Sequence, residues 1–420
     1  MLDITYIREH PDEVRENLKK RGKPEFVEGF DRLIRLDSEY REKLKMLNQL
    51  RHERNEISKE INRIKKEGGD LSQVLERAKQ LPKRIKELED DVDRLNDEVM
   101  SVLSRLPNIM LPDVPIGKDS NDNVVIRKWG NPRKDRTKSH VDWLIEKGYA
   151  DFERASKTSG SRFYFLKGKL VKLQMAIINY TFDFLTEKGF QPIYPPFLTR
   201  REIESAATEL SAFLDVLYKI ENENLFLIST TEHPILGYHY NEVLDEKDLP
   251  LKYVGYSPAF RKEAGSHGKD TKGIFRVHQF MQTEMFVFCR PEESQKIHEE
   301  MVGIQEEILR SLEIPYRVVK VCSGDLPLVA AKMYDIEAWF PAQQTYREIT
   351  SCSNCLTYQS VPGKIRIIDE KGNRIWVHTL NGTGLPDTRT IVAIIENFQD
   401  EEGNVRIPKP LQKYTGYDVL

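Results

Sequence analysis

The sequence predicts an α+β fold built on an antiparallel sheet and preceded by a long antiparallel helical hairpin. Three observations carry this. From about residue 28 to 106 apolar side chains recur three or four apart in two series, divided by a Gly-Gly turn. A stretch rich in Pro, Asn and Asp follows at 107 to 123. Beyond it strand-like runs often follow one another, with amphipathic helices inserted unevenly, which suits an antiparallel sheet better than a doubly wound parallel one.

The first apolar series is Leu36, Tyr40, Leu44, Leu47, Ile57, Ile61 and Ile64; the second is Leu81, Ile85, Leu88, Val92, Leu95, Val99 and Val102. Each defines one narrow seam, the pattern of two helices that pack on each other and on little else. KKEGGD (65 to 70) supplies the reversal. Pro82 lacks the N–H that a helix interior needs, so it is expected to open the second long helix, with 67 to 81 as an elaborated tip. An arm of this length cannot fold into a compact core and is expected to project. Residues 41 to 66 carry nine Lys/Arg against four Glu, and residues 82 to 100 four Lys/Arg against seven Asp/Glu. Most of these charges suit pairing across the hairpin. The basic helix also suits tracking of phosphates.

The chain has 420 residues, 39% hydrophobic and 31% charged, which fits a soluble globular protein of two or three domains. A net charge of −3 means that any nucleic-acid binding must use a local basic surface. There is no apolar run of membrane-spanning length, and the charged opening MLDITYIREHPDEVRENLKK lacks a signal-peptide core. A cytoplasmic address and no membrane partner are therefore expected. Four cysteines are too few for a disulfide scaffold.

After the hairpin, PNIMLPDVPIGKDSNDN (107 to 123) reads as a linker. Helices are expected at 166 to 188 and 292 to 312, and strands at 253 to 260, 283 to 290, 316 to 322 and 374 to 380. Neither G-x-G-x-x-G nor G-x-x-x-x-G-K-[ST] occurs, so Rossmann and P-loop nucleotide binding are both unsupported.

The most informative stretch is FRKEAGSHGKDTKGIFRVHQF, 260 to 280. Arg261 and Glu263 are expected on one face of a strand, with Arg276, His278 and Phe280 returning on the next. His267, Lys269 and Lys272 make the intervening turn basic. An arginine fork suits phosphate or carboxylate, and an aromatic beside an arginine can sandwich a nucleobase. Alone, the stretch fits an exposed polar hairpin as well as a nucleotide site.

It does not stand alone. FRKEAG…RVHQF followed by Glu284 resembles motif 2 of the class II aminoacyl-tRNA synthetases in their seryl form, of the common zinc-independent type. In order along the chain, DFERASKTSGSRFYFLKG (151 to 168) resembles the family's entry into the catalytic domain. GFQPIYPPFL (189 to 198) is similar to motif 1, with Pro196 at its proline, and LYKIE…LISTTEHP (217 to 234) to the T-x-E serine segment. YREITSCSNC (346 to 355) resembles the segment before motif 3, and LNGTGLPDTRTIVAIIENFQ (380 to 399) motif 3 itself. The hairpin resembles the arm of the same family, so the likeness spans essentially the whole chain. It implies an N-terminal tRNA-binding domain over 1–108, a linker over 109–125 and a class II catalytic domain over 126–420.

The resemblance implies a seven-stranded antiparallel sheet flanked by helices, in a homodimer joined through motif 1. It implies an aminoacyl-tRNA ligase that turns ATP and L-serine into seryl-adenylate, then charges tRNA-Ser, and tRNA-Sec where one is present. Arg261 would hold the α-phosphate and the serine carboxylate. Glu263 and the backbone of Val277 would sit near adenine, Phe280 and Arg389 would sandwich the base, and Arg276 would contact the outer phosphates. Glu348 and Ser351 would hold Mg²⁺ with the ATP. Thr230, Thr231, Glu232, Glu284, Asn381 and Thr383 would line the serine site. The arm would take the elbow and long variable arm of tRNA-Ser, across the dimer.

Cys352 and Cys355 form a C-x-x-C with no second pair, so buried thiols are expected and no zinc. Pro386, Asp387 and Thr388 stand where the family has small residues, Gln282 where it often has lysine, and SVPGKIR (360 to 366) where it often has an arginine-rich run. Two other readings are a paralogue that activates serine for a non-tRNA acceptor and a non-catalytic regulatory paralogue. The first would lose or alter the arm. The second would lose a motif arginine or the T-x-E glutamate, and Arg261, Arg389 and Glu232 are all present.

Overall fold

The computed structural model describes residues 1 to 263 and 272 to 420. It divides into two compact units. One comprises Ile4–Lys19 and Lys23–Leu106; the other is Pro107–Leu420 with the short pieces Met1–Asp3 and Lys20–Gly22.

The first unit is helical: α1 (Ile4–Glu9), α2 (Pro11–Lys20), α3 (Pro24–Glu67) and α4 (Ser72–Leu103). Pro24 starts α3, where a missing N–H costs nothing. Gly68 ends it in the left-handed region at φ 68°, its N–H bonded to the Ile64 carbonyl. Leu47, Leu50 and Ile57 of α3 pack against Val74, Leu81, Ile85 and Val92 of α4. Lys43–Asp91 at 2.7 Å and Arg51–Glu89 at 2.9 Å pair across the seam. Near its start α3 is tied to α1 and α2 by Arg8–Asp37 and Arg15–Asp31.

The second long helix begins at Ser72, not at Pro82, and runs through the proline. Val74, more than two turns before Pro82, is buried on α3 together with Leu81 and Ile85. Extending the apolar seam outweighs the one lost hydrogen bond and the ring clash that disfavour an interior proline.

In the second unit an eight-stranded sheet replaces the expected seven. Its strands are β1 (Val124–Trp129), β2 (Gln191–Ile193), β3 (Leu251–Phe260), β4 (Gln279–Cys289), β5 (Tyr316–Lys320), β6 (Lys332–Phe340), β7 (Thr345–Leu356) and β8 (His378–Pro386). The order is β1-β5-β6-β7-β8-β4-β3-β2, antiparallel throughout except for the parallel edge pair β2–β3. The run 374 to 380 splits: Arg374–Trp376 joins a small separate sheet, and His378 starts β8.

The helices that matter here are α5 (Lys169–Glu187), α6 (Arg201–Ala207), α7 (Glu232–Tyr238), α8 (Ser294–Ser311) and α9 (Asp387–Asn397). Strand alternation sorts β4 between two cores. Met285 and Val287 join Leu173 and Ile177 of α5, Ile308 of α8 and Ile391–Ile395 of α9. Phe286 and Phe288 face the other way, onto Ala206 and Ala207 of α6 and Ile235 and Leu236 of α7. The expected linker is packed rather than loose: Met110 and Val114 are buried against Val321, Leu326 and Ala330.

Candidate active site

The face of β4 that carries Phe286 and Phe288 carries Phe280, Gln282 and Glu284 further along the same strand, because its ladder with β3 is unbroken from Gln279 to Phe288. Two irregularities in neighbouring strands complete the site. On β8 the pairing with β4 slips between Thr283 and Glu284, which sets Thr383 opposite Glu284. Gly384 sits at that slip, where a Cβ would lie 2.6 Å from the Thr283 hydroxyl oxygen. On β7 the ladder slips between Thr350 and Glu348, so Glu348 and Ser351, three apart, both reach one cavity.

That cavity, about 90 Å³, is lined by Arg261, Glu263, Arg276, Val277, Phe280, Gln282, Glu348, Ser351, Thr383 and Arg389, with Phe275 beside them. A larger one of about 890 Å³ lies on the far side of Phe280, lined mainly by apolar residues of α5 and of 163 to 166 and 192 to 194. The charged groups converge in the smaller cavity, which is therefore the seat of any polar chemistry.

The turn of motif 2 departs from expectation. Arg261 and Glu263 lie past the end of β3, and Glu263 has φ 48°, outside strand geometry. Arg276 and His278 precede β4 instead of lying on it. The chain still closes on itself: the Arg261 N–H donates to the His278 carbonyl, and the His278 ring nitrogen Nδ1 lies 2.8 Å from the Arg261 carbonyl. The kink lets the Glu263 carboxylate turn back to Arg276 at 3.1 Å. His267 and Lys269 fall outside the described residues; Lys272 is exposed.

Arg261 lies over the Phe280 ring at 5.1 Å, and its Nε donates to the Ser229 carbonyl. Arg389 stacks on Phe275 at 5.3 Å and pairs with Glu348 at 3.3 Å. Burial and the nearby Arg389 hold the Arg261 guanidinium below its ordinary value.

The second half of the site is acidic and buried. Glu284 is 3% exposed, one carboxylate oxygen has no hydrogen-bond partner, and the Thr383 hydroxyl bonds the group. Burial and then the neighbouring Glu232 push it well above the carboxylate range. Burial also raises Glu232, which opens α7 and accepts from the Gln359 amide. Thr231 is fully buried, its hydroxyl 2.7 Å from that of Ser257. Gly255 makes room for it, since a Cβ there would lie 2.5 Å from Thr231. Asn381 donates to the Cys355 sulfur at 3.5 Å. Burial pushes the Cys352 and Cys355 thiols well up, and both are free.

Four residues of this region were not picked out in the sequence for what they do here. Gln359 spans Glu232, the Ala207 carbonyl and the Thr379 hydroxyl. His233 pairs with the fully buried Glu204 at 2.8 Å, which fixes α7 from behind. Burial lowers the His233 imidazole, but Glu204 more than offsets this. Asp335 faces Ser351 across the ladder; burial, then Glu348 and Glu337, push it well up, and its Oδ1 has no hydrogen-bond partner. Gln282, noted only as a departure, is buried in the cavity wall. The histidine of TTEHP was the one signal in reach; the others depend on pairings far apart in sequence. Among the described residues no group of three or more His, Cys, Asp or Glu side chains is placed to hold a metal, and no helix is long and apolar enough to cross a membrane.

Comparison with known proteins agrees along the whole chain. Residues 1–110 match the family model for the seryl-tRNA synthetase N-terminal domain, and residues 217–398 that for the tRNA synthetase class II core domain (G, H, P, S and T). The chain is 50% identical to a serine–tRNA ligase of Pyrococcus horikoshii, covering 100% of this chain and 97% of that one. It is 48% identical to that of Methanospirillum hungatei, with 99% and 98% covered. The crystal structure of the P. horikoshii seryl-tRNA synthetase complexed with ATP superposes with a TM-score of 0.94, covering 100% and 99% of the two chains. A cytoplasmic serine–tRNA ligase of Naegleria fowleri in complex with AMP, 37% identical, superposes with a TM-score of 0.87 over 100% and 98%.

Proposed function

The chain belongs to the seryl-tRNA synthetase family, and we propose that the cleft between motif 2 and motif 3 holds ATP at one end and L-serine at the other. The protein is an aminoacyl-tRNA ligase: it activates L-serine with ATP and passes the seryl group to tRNA-Ser. The observation that carries the division of the cleft is the order of side chains on one face of β4, with aromatic Phe280 at one end and acidic Glu284 at the other.

At the nucleotide end, Phe280 offers a ring face, with Val277 and Glu263 beside it. Arg261 leaves that face to take the α-phosphate and the serine carboxylate, and Arg389 closes over the base. Arg276 exchanges the Glu263 carboxylate for an outer phosphate. These cations meet two anions as they are brought together, so charge neutralisation and positioning carry the first step. Glu348 and Ser351 would hold Mg²⁺; their oxygen donors, with the unpartnered Asp335 Oδ1 opposite Ser351, suit a hard cation. Bound there, the ion neutralises phosphate charge. At the serine end, Glu232 and Glu284 receive the ammonium and hydroxyl, with Thr230, Thr231, Thr383 and Asn381 around them. A site that hydrogen-bonds a hydroxyl rejects alanine strongly, and threonine is excluded by volume.

Partnered charging fixes the test. Purified protein with ATP, Mg²⁺, labelled serine and tRNA-Ser transcript should form acid-stable seryl-tRNA, and should form none with alanine or threonine. No charging of a competent tRNA would overturn the reading in favour of a non-tRNA acceptor or a silent paralogue.

The raised Glu284 carboxyl sets a pH dependence. In the free enzyme the group stays protonated above the usual carboxylate range, and an arriving ammonium favours the ionised form. Serine KM in pyrophosphate exchange should therefore fall as pH rises above the ordinary carboxylate range and the buried group ionises. Glu284→Gln should flatten that slope. A wild-type KM that does not change with pH would refute the assignment.

The protein is expected in the cytoplasm as a homodimer. Tyr194 of motif 1 is 73% exposed, and Met175 of α5 54%, beside the large apolar cavity. Exposed apolar surface of this extent marks an interface, and a second copy laid motif 1 to motif 1 would cover it. Tyr194→Glu should shift the dimer to monomer in light scattering at micromolar concentration; an unchanged mass would place the interface elsewhere.

A further inference from the structure

Gln282 belongs to neither end of the cleft. It lies on β4 midway between Phe280 and Glu284, on the same face. It is 2% exposed and lines the cavity with Arg261, Ser351, Thr383 and Arg389. On the division of the cleft proposed above, this is where the serine carboxylate must meet the α-phosphorus. Its amide Nε2 donates to the Thr230 hydroxyl oxygen at 2.9 Å and lies 3.4 Å from that of Thr231. The Thr230 oxygen also accepts the Glu232 backbone N–H at 3.3 Å.

The consequence is a matter of hydrogen-bond capacity. A threonine hydroxyl has two lone pairs and one proton. With both acceptor positions used by Gln282 and Glu232 N–H, the Thr230 proton is left to donate, and no described residue accepts it. We propose that Gln282 is a positioning residue that orients the Thr230 hydroxyl as a donor to the carboxylate of bound serine, making the pair a determinant of amino-acid binding distinct from Arg261. A neutral amide serves this without adding a second cation beside Arg261. Because Gln282 acts through Thr230 at the serine end, its loss should be felt by serine and not by ATP.

The experiment is serine-dependent pyrophosphate exchange with Gln282→Met, Thr230→Val and the double variant, each checked by thermal melting. Wild-type exchange must be seen first; its absence would be a failure of the functional reading, not of this one. Gln282→Met should raise serine KM about tenfold, the size of one lost hydrogen bond, and leave ATP KM within about twofold. Thr230→Val should do the same, and the double variant should be no worse than either, since both remove one interaction. Gln282→Lys, which restores a donor, should recover most of the serine KM and guards against a Met variant that merely folds badly. Equal rises in the serine and ATP KM, or single effects that multiply in the double variant, would overturn the proposal.

Discussion

Arg261→Ala should lower serine-dependent pyrophosphate exchange by about a thousandfold or more, the loss expected for a donor aimed at charge that develops in the transition state. Among the described residues no other side chain is placed to substitute. Arg276 is engaged by Glu263 and Arg389 by Glu348. Arg261 bridges the halves of the cleft: its guanidinium lies over Phe280 while its Nε is anchored to the Ser229 carbonyl, next to Thr230. The charge is held in a buried place, which burial and Arg389 both disfavour and which Glu263, Glu348 and Glu284 support. An anion from each substrate would relieve that burden, so binding and catalysis draw on the same unfavourable charge. Arg261→Lys should recover little, because a single ammonium cannot present the planar fork that spans phosphate and carboxylate. Exchange within tenfold of wild type in Arg261→Ala, with an unchanged melting temperature, would remove the residue from the centre of the mechanism.

The sequence made the ends of this site legible and left its middle dark. Phe280, Glu284, Arg261 and Arg389 sit in ordered motifs, and a motif states residue type and spacing directly. What a motif does not state is where the backbone leaves regular geometry. Arg261 and Glu263 looked like alternate strand positions, but the ladder ends at Phe260 and Glu263 turns into the left-handed region. The slips at Gly384 and at Ile349 that bring Thr383, Glu348 and Ser351 inward are products of cross-strand register, which no local pattern encodes.

The departures noted near motif 3 also acquire a physical account. Asp387 is fully buried at the start of α9, accepts from the Met281 and Thr388 N–H groups and from Gln174, and is pushed up to about 6 by burial. It ties the beginning of the helix that carries Arg389 to the strand that carries Phe280. Local chemistry also misled at Pro82. The penalty for an interior proline is real, but helical packing is decided by the whole seam, and Val74 extends that seam beyond the proline.

The hairpin yields the other large effect. Replacing residues 46 to 88 by a short Gly-rich turn should reduce charging of tRNA-Ser by at least about a hundredfold and leave serine-dependent pyrophosphate exchange within about twofold. The cut is chosen from the contacts: Lys43–Asp91 and the Arg8–Asp37 and Arg15–Asp31 ties all lie outside it, so the base of the hairpin keeps its own pairs. The residues removed form a separate compact unit from those of the cleft, and none of them lines it. Activation needs only two small substrates, so it should not register the loss. Transfer needs a polyanion held in place while its 3′ end reaches the adenylate. The surface removed includes most of the basic run of α3, in which Arg54, Arg63, Lys65 and Lys66 are exposed and absent from the ion pairs across the seam. A helix of 44 residues spans roughly 65 Å at ~1.5 Å per residue, long enough to follow a duplex over several phosphates. Binding by phosphate contact predicts a second readout: the tRNA KM of the intact protein should rise steeply with salt, and the shortened protein should lose most of that slope. Charging unaffected by the deletion would free the hairpin from any part in tRNA recognition, and loss of exchange with the fold preserved would show that the two halves of the reaction are not divided in this way.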